Sequence, residues 1–99
     1  MDSISSNTIK LVFSNTVTRL AGYPYGKRVF EEQARNKISY DFPITIVFPD
    51  QIIRVASSFA QGFFEEIIDN IGILGIGEKL LIKASDEKVT NSIIRNLQK

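Results

Sequence analysis

The chain has 99 residues, 43% of them hydrophobic, with 12 Lys/Arg against 11 Asp/Glu. This length and composition suit one globular domain rather than a disordered chain, and a net charge of +1 leaves no overall field to draw it onto nucleic acid or a membrane surface. There is no cysteine, which excludes disulfides and thiolate chemistry, and no histidine, which removes the commonest general base and metal ligand.

Residues 1–7 are small and polar and are expected to form a flexible N-terminus, with a single domain over 8–99. Thr8 to Phe13 alternates, with Ile9, Leu11 and Phe13 on one face, and predicts a strand. After a turn at Ser14-Asn15, the β-branched Thr16 to Leu20 is expected to return as the second strand of a hairpin. Ala21 to Gly26 is read as a loop from its Gly and Pro content.

A helix is predicted from about Pro24 or Tyr25 to Asn36, with Val29, Phe30 and Ala34 inward. Pro43 punctuates the chain. Ile44 to Phe48 is nearly continuous in apolar residues, as expected of a central strand covered on both faces. Ile52 to Val55 reads as a short extended piece. A second helix over about Phe59 to Ile71 places Phe59, Ala60, Phe63, Phe64, Ile67, Ile68 and Ile71 on one face, with Gly72 as its C-cap.

Residues 72–77 form a glycine-rich connector without the Gly-Lys-Ser/Thr of a P-loop. Lys79 to Ala84 predicts a buried strand. Ser85-Asp86-Glu87 caps a last helix whose apolar stripe is Val89, Ile93, Ile94 and Leu97. The expected architecture is α/β, with a mixed, mostly parallel sheet of about four strands, an N-terminal hairpin and three helices, and no internal repeat or linker.

Charge is uneven along the chain. Residues 41–78 carry one Arg and six acids, whereas both flanks are basic. The ordinary reading is solvated helix faces; the sharper one is an acidic contact surface for a basic partner. No segment reaches the ~18 apolar residues of a membrane span. The first residues lack a signal-peptide pattern, so a cytoplasmic protein is the expectation.

The functional signal lies at Ser57-Ser58. Ser58 followed by Gln61 fits a capping box, in which the hydroxyl accepts from the N3 amide and Gln61 reaches back. A phosphate on Ser58 or Ser57 would sit at a helix N-terminus, accommodated by its amides and dipole. A catalytic serine has no neighbouring base here, and Ser85-Asp86-Glu87-Lys88 is better explained as a cap. No enzyme activity, cofactor or metal is therefore expected. A second reading takes Arg19, Tyr23, Tyr25, Lys27 and Arg28 as a nucleic-acid module, with cations for phosphates and rings for bases. The plain alternative for these residues is a polar loop with tyrosines lying along the surface.

Ile44 to Phe48, then Ile52 and Val55, then Ser57-Ser58-Phe59-Ala60 and a long apolar helix resemble the STAS-like domains of the DUF4325 family. Leu80-Leu81-Ile82 followed by Ser85 to Val89 is similar to their C-terminal part. Thr18-Arg19 with Gly26-Lys27-Arg28 stands where they carry a basic segment. The resemblance covers about residues 8–97. It implies a STAS-like fold and a bacterial regulatory domain related to anti-sigma-factor antagonists, which bind histidine-kinase-like ATPases and are switched by phosphorylation of a serine at this helix start.

Ser58 is the matching position, with Ser57 beside it. Ala56 and Phe59 stand where the antagonists carry Asp and Gly, which moves the expectation from a phosphorylated switch toward a docking site. The partner-binding candidates are Arg54, Ser57, Ser58, Gln61 and Glu65, with Arg19, Lys27 and Arg28. A protein partner is expected rather than nucleic acid or membrane, and a homodimer is compatible with the pattern.

Overall fold

The computed structural model describes residues 7–97. In chain order the elements are β1 (Thr8–Lys10), β2 (Arg19–Leu20), α1 (Tyr23–Gln33), β3 (Ile44–Val47), β4 (Arg54–Val55), α2 (Ser57–Ile71), α3 (Ile76–Lys79), β5 (Leu80–Lys83) and α4 (Glu87–Leu97). Short 3₁₀ turns lie at Arg35–Lys37 and Ile73–Gly75. Of the expected flexible N-terminus, residues 1–6 lie outside the described residues.

The class is α/β as expected, but the sheet is divided and wholly parallel among the described strands. One sheet has three strands in the order β1-β3-β5, and a second pairs β2 with β4. The expected hairpin does not form. Ser14-Asn15 does turn, with Val17 N donating to Ser14 O at 2.9 Å. The chain then runs beside β4 rather than back along β1. Ile53 N donates to Thr18 O and Ala56 N to Leu20 O, both at 2.8 Å. Gln51 Nε2 holds the turn by donating to Ser14 O at 2.6 Å and Val17 O at 2.9 Å. Ser-Asn lacks the positive-φ preference of a tight hairpin, so distant parallel partners win these backbone groups.

Order β1-β3-β5 fixes where the helices go. The strands step one way across a parallel sheet, so crossovers of the usual right hand put α1 and α2 on one face. There they pack against each other, and α4 packs against α2. Between helices and sheet lie Ile9, Ile44, Ile46, Leu80 and Ile82 from the strands and Phe30, Phe48, Phe59, Phe63, Phe64, Ile67 and Ile93, all buried. The Phe59 and Phe63 rings stack at 6.0 Å, and Phe30 meets Phe63 edge-on at 5.5 Å.

The opposite face is uncovered by any described helix. Thr8, Thr45 and Val47 are half-buried there, and Lys10, Leu81 and Lys83 are exposed. This corrects the expectation that β3 is covered on both faces: its burial alternates because only one layer of helices exists to cover it.

The pairing of β2 with β4 exposes a repeat that the sequence reading missed. Val12-Phe13, Arg19 and Ala21 recur at the same spacing as Val47-Phe48, Arg54 and Ala56. Leu20 matches Val55 in the same frame, and Arg19↔Arg54 and Leu20↔Val55 are the register pairs of the two strands. Each copy runs strand, loop, short strand, helix, and the copies lie side by side.

Their helices touch closely. Gly26, where the expected loop and the expected first helix overlap, lies inside α1, and it is glycine because a Cβ there would collide with the α2 backbone at Phe59 O and come within 2.8 Å of Phe63 N. A Cβ at Gly62 would collide with Tyr23 O and lie 3.1 Å from Lys27 N. Neither glycine sits at positive φ; each is required by the approach of the other helix.

Asn7 is 4% exposed, although it falls in the segment expected to be flexible. Its Nδ2 is shared among Ser39 O at 3.1 Å, Phe42 O at 3.1 Å and Pro43 O at 2.7 Å, and its Oδ1 accepts from Ser39 N at 2.8 Å. It closes the irregular segment between the Arg35–Lys37 turn and β3.

Of the predicted helices, the last two end or begin close to expectation. Gly72 at φ 77° terminates α2, donating to Ile68 O at 2.7 Å, and Asp86 Oδ1 caps α4 by accepting from Val89 N at 3.0 Å. The glycine-rich connector is not a loop throughout. It folds into a 3₁₀ turn and the single helical turn α3, a fourth α-helical element, because Ile76 is buried and anchors it.

Candidate functional site

The start of α2 is built by the β2–β4 pair. β4 delivers the chain to Ala56, which is the N-cap in extended conformation at φ −69°, ψ 153° and offers no side-chain cap. α2 therefore begins at Ser57, two residues before the predicted start. Ser58 is then the second helical residue and cannot cap its own helix. Its Oγ accepts instead from Gly22 N, in the turn leading into α1, at 2.9 Å. The capping box of Ser58 and Gln61 is thus replaced by a bond between the two halves of the chain. Gln61 is exposed on the next turn.

The two serines differ in what is left free. Ser58 is half-buried with its oxygen engaged, and Ser57 is exposed. Ser57 lines a groove of about 340 Å³ together with Ile53, Arg54, Val55, Lys88, Val89, Ser92 and Asn96. The groove lies between β4, the start of α2 and α4. Arg19 stands beside Arg54 as its register partner, and both are exposed.

Glu65 and Lys27, two of the candidate contact residues, are joined to each other. Lys27 Nζ donates to Glu65 Oε1 at 2.9 Å, and the Tyr23 hydroxyl donates to the same oxygen. Lys27 also sits 5.8 Å over the Tyr23 ring. The hydrogen bonds from Tyr23 and then Lys27 hold the Glu65 carboxyl below its ordinary value. The same contacts, Glu65 first, raise Tyr23 and Lys27. Glu66 is similarly engaged by Arg35, which also reaches Glu31 at 3.4 Å. Two acids of α2, Glu65 and Glu66, are therefore met by Lys27 of α1 and by Arg35 of the turn that follows it, while Asp69 is exposed.

The basic-aromatic segment is divided in the same way. Tyr25 packs edge-on against Phe59 at 5.5 Å, and Tyr23 and Lys27 are taken up with Glu65. Arg28 is exposed on α1 and is not part of the groove. Ser85, in the Ser-x-x-Lys pattern, donates to Ile52 O at 3.3 Å, while Lys88 turns to the groove. Among the described residues no group of three or more His, Cys, Asp or Glu could hold a metal ion, and no helix is long and apolar enough to cross a membrane.

Lys88, Ser92 and Asn96 are the site residues that sequence reasoning missed. They lie on the polar side of an amphipathic helix, where nothing in the pattern distinguishes a groove wall from a solvated face. The arginine repeat was the readable signal, since it places Arg19 against Arg54.

Comparison with protein-family models, with curated proteins and with solved structures finds no match in any of the three.

Proposed function

We propose that the chain is a non-catalytic regulatory domain that docks a protein partner through the start of α2 and the β2–β4 pair beside it. Arg19, Arg54, Ser57 and Gln61 form the contact surface. The resemblance to STAS-like domains of the DUF4325 family supports this reading and names a histidine-kinase-like ATPase as the candidate partner, in the cytoplasm. The observation that carries it is the unequal state of the serine pair: Ser58 is used to join the two halves of the fold, and Ser57 is exposed beside Arg54. Ser58 then has a structural role. Ser57 is the hydroxyl open to a partner or to modification.

Affinity capture from the native host, with intact-mass measurement of what is held, tests this. A partner retained by the unsubstituted chain should be lost with Arg54→Glu and with Ser57→Asp. It should survive Leu81→Ser on the far sheet face. Circular dichroism shows whether each variant is folded. Equal retention by all four folded proteins would overturn the proposal.

A further inference from the structure

We infer that the groove between β4, the start of α2 and α4 is a binding site for a phosphoryl group. This goes beyond the docking reading; it shares Arg54 and Ser57 with that reading but needs no protein partner.

The first observation is the Arg19–Arg54 pair. Register partners on neighbouring parallel strands have backbones about 4.8 Å apart, and both side chains leave the same face. Like charges placed directly opposite destabilise a sheet. Neither arginine forms an ion pair with a described acid, whereas Lys27 and Arg35 do. The second observation is the groove itself. Its lining contains two cations, Arg54 and Lys88, three neutral hydrogen-bonding side chains, Ser57, Ser92 and Asn96, and no carboxylate. None of the five side chains has a hydrogen-bond partner among the described residues. Ser92 and Asn96 are half-buried on the wall of the groove, so their side chains are held there by the packing of α4.

The chemistry of these groups selects the ligand class. Guanidinium presents a planar fork that matches two oxygens of a phosphate, and ammonium adds a point charge. Arg54 from β4 and Lys88 from α4 line the groove, and Arg19, outside the lining but in register with Arg54, adds to a positive charge suited to a dianion rather than a single carboxylate. The serine hydroxyls and the Asn96 amide supply directional donors for the remaining oxygens. At about 340 Å³ the groove has room for a phosphoryl group and part of the molecule carrying it.

The test is an amide and arginine side-chain NMR titration of the full chain with inorganic phosphate, phosphoserine and, as the carboxylate control, acetate. Saturable shifts confined to Ser57, Lys88, Ser92, Asn96 and the Arg54 Nε are expected with phosphate and phosphoserine. Tighter binding of phosphoserine would identify a phosphoryl carried by a larger molecule, and equal binding would identify the free ion; either supports the site. Arg54→Gln and Lys88→Gln should each weaken binding by about tenfold, the loss of one charge-assisted bond. Their spectra away from the groove report whether the fold is intact. Shifts that never saturate, that spread over all lysines, or that acetate reproduces at equal ionic strength would overturn the inference. The titration contains no protein partner, so its failure leaves the docking reading standing, and the reverse holds for the capture experiment.

Discussion

Gly22 donates its backbone N–H to Ser58 Oγ at 2.9 Å, tying the entrance of α1 to the first turn of α2. Serine at this helix start thus serves the packing of two similar halves. Ser58→Ala leaves a partly buried N–H without its acceptor and should cost about 1–2 kcal/mol in urea unfolding. Gln61→Ala and Ser57→Ala should each stay within about 0.5 kcal/mol. A capping box would instead make Gln61 matter alongside Ser58, so the same denaturation series separates the two arrangements.

The two glycines at the crossing of α1 and α2 give the largest expected loss. Alanine in a helix gains about 1 kcal/mol over glycine from propensity alone. At Gly26 and Gly62 the added Cβ meets backbone atoms, which cannot swing aside as a flexible side chain can. The helices must separate and loosen the Phe59 and Phe63 packing beneath them. Gly26→Ala and Gly62→Ala should each destabilise by about 3 kcal/mol or leave the chain unfolded. Gly77→Ala, where a Cβ meets nothing within 4 Å, is the control and should be close to neutral.

Asn7→Ala should be costly for a residue so near the N-terminus. It removes the acceptor for Ser39 N and the donor shared by three carbonyls. The expected loss is about 2–3 kcal/mol, read from thermal or urea unfolding. Asn7→Asp keeps the acceptor for Ser39 N but places charge against those carbonyls, and should not rescue.

The Glu65 cluster sets a pH dependence with a definite sign. Tyr23 and Lys27 hold the folded-state carboxyl below its ordinary 4.5, so the unfolded chain binds the proton more readily. The contribution is present above pH 4.5 and is lost as pH falls through the folded value. The difference in urea midpoint between the unsubstituted chain and Glu65→Gln should be steady near neutrality and shrink below about pH 4. The contacts are exposed, so 0.5 M salt should reduce the difference at neutral pH.

Much of the core was legible because long apolar periodicity leaves little choice. The α2 face of Phe59, Phe63, Phe64 and Ile67 and the strand Ile44 to Val47 follow from spacing alone. The connectivity of Thr16 to Leu20 was not legible, because a β-branched segment pairs equally well with a neighbour in sequence or a distant parallel strand. Gly26 fell in both the expected loop and the expected helix because its reason for being glycine is the α2 backbone, which no local window contains. At the site, Arg54 and Ser57 were found from sequence, whereas Lys88, Ser92 and Asn96 reach the groove only through the packing of α4 on α2.

The central claim is that another molecule meets this chain at the start of α2. Site-specific photocrosslinking in the native host tests it most directly, with the crosslinker placed at Ser57 in one protein and at Leu81, on the uncovered sheet face, in another. A discrete adduct from Ser57, lost when Arg54→Glu is added, and no adduct from Leu81 is the expected result. An adduct from Leu81 with none from Ser57 would contradict the account.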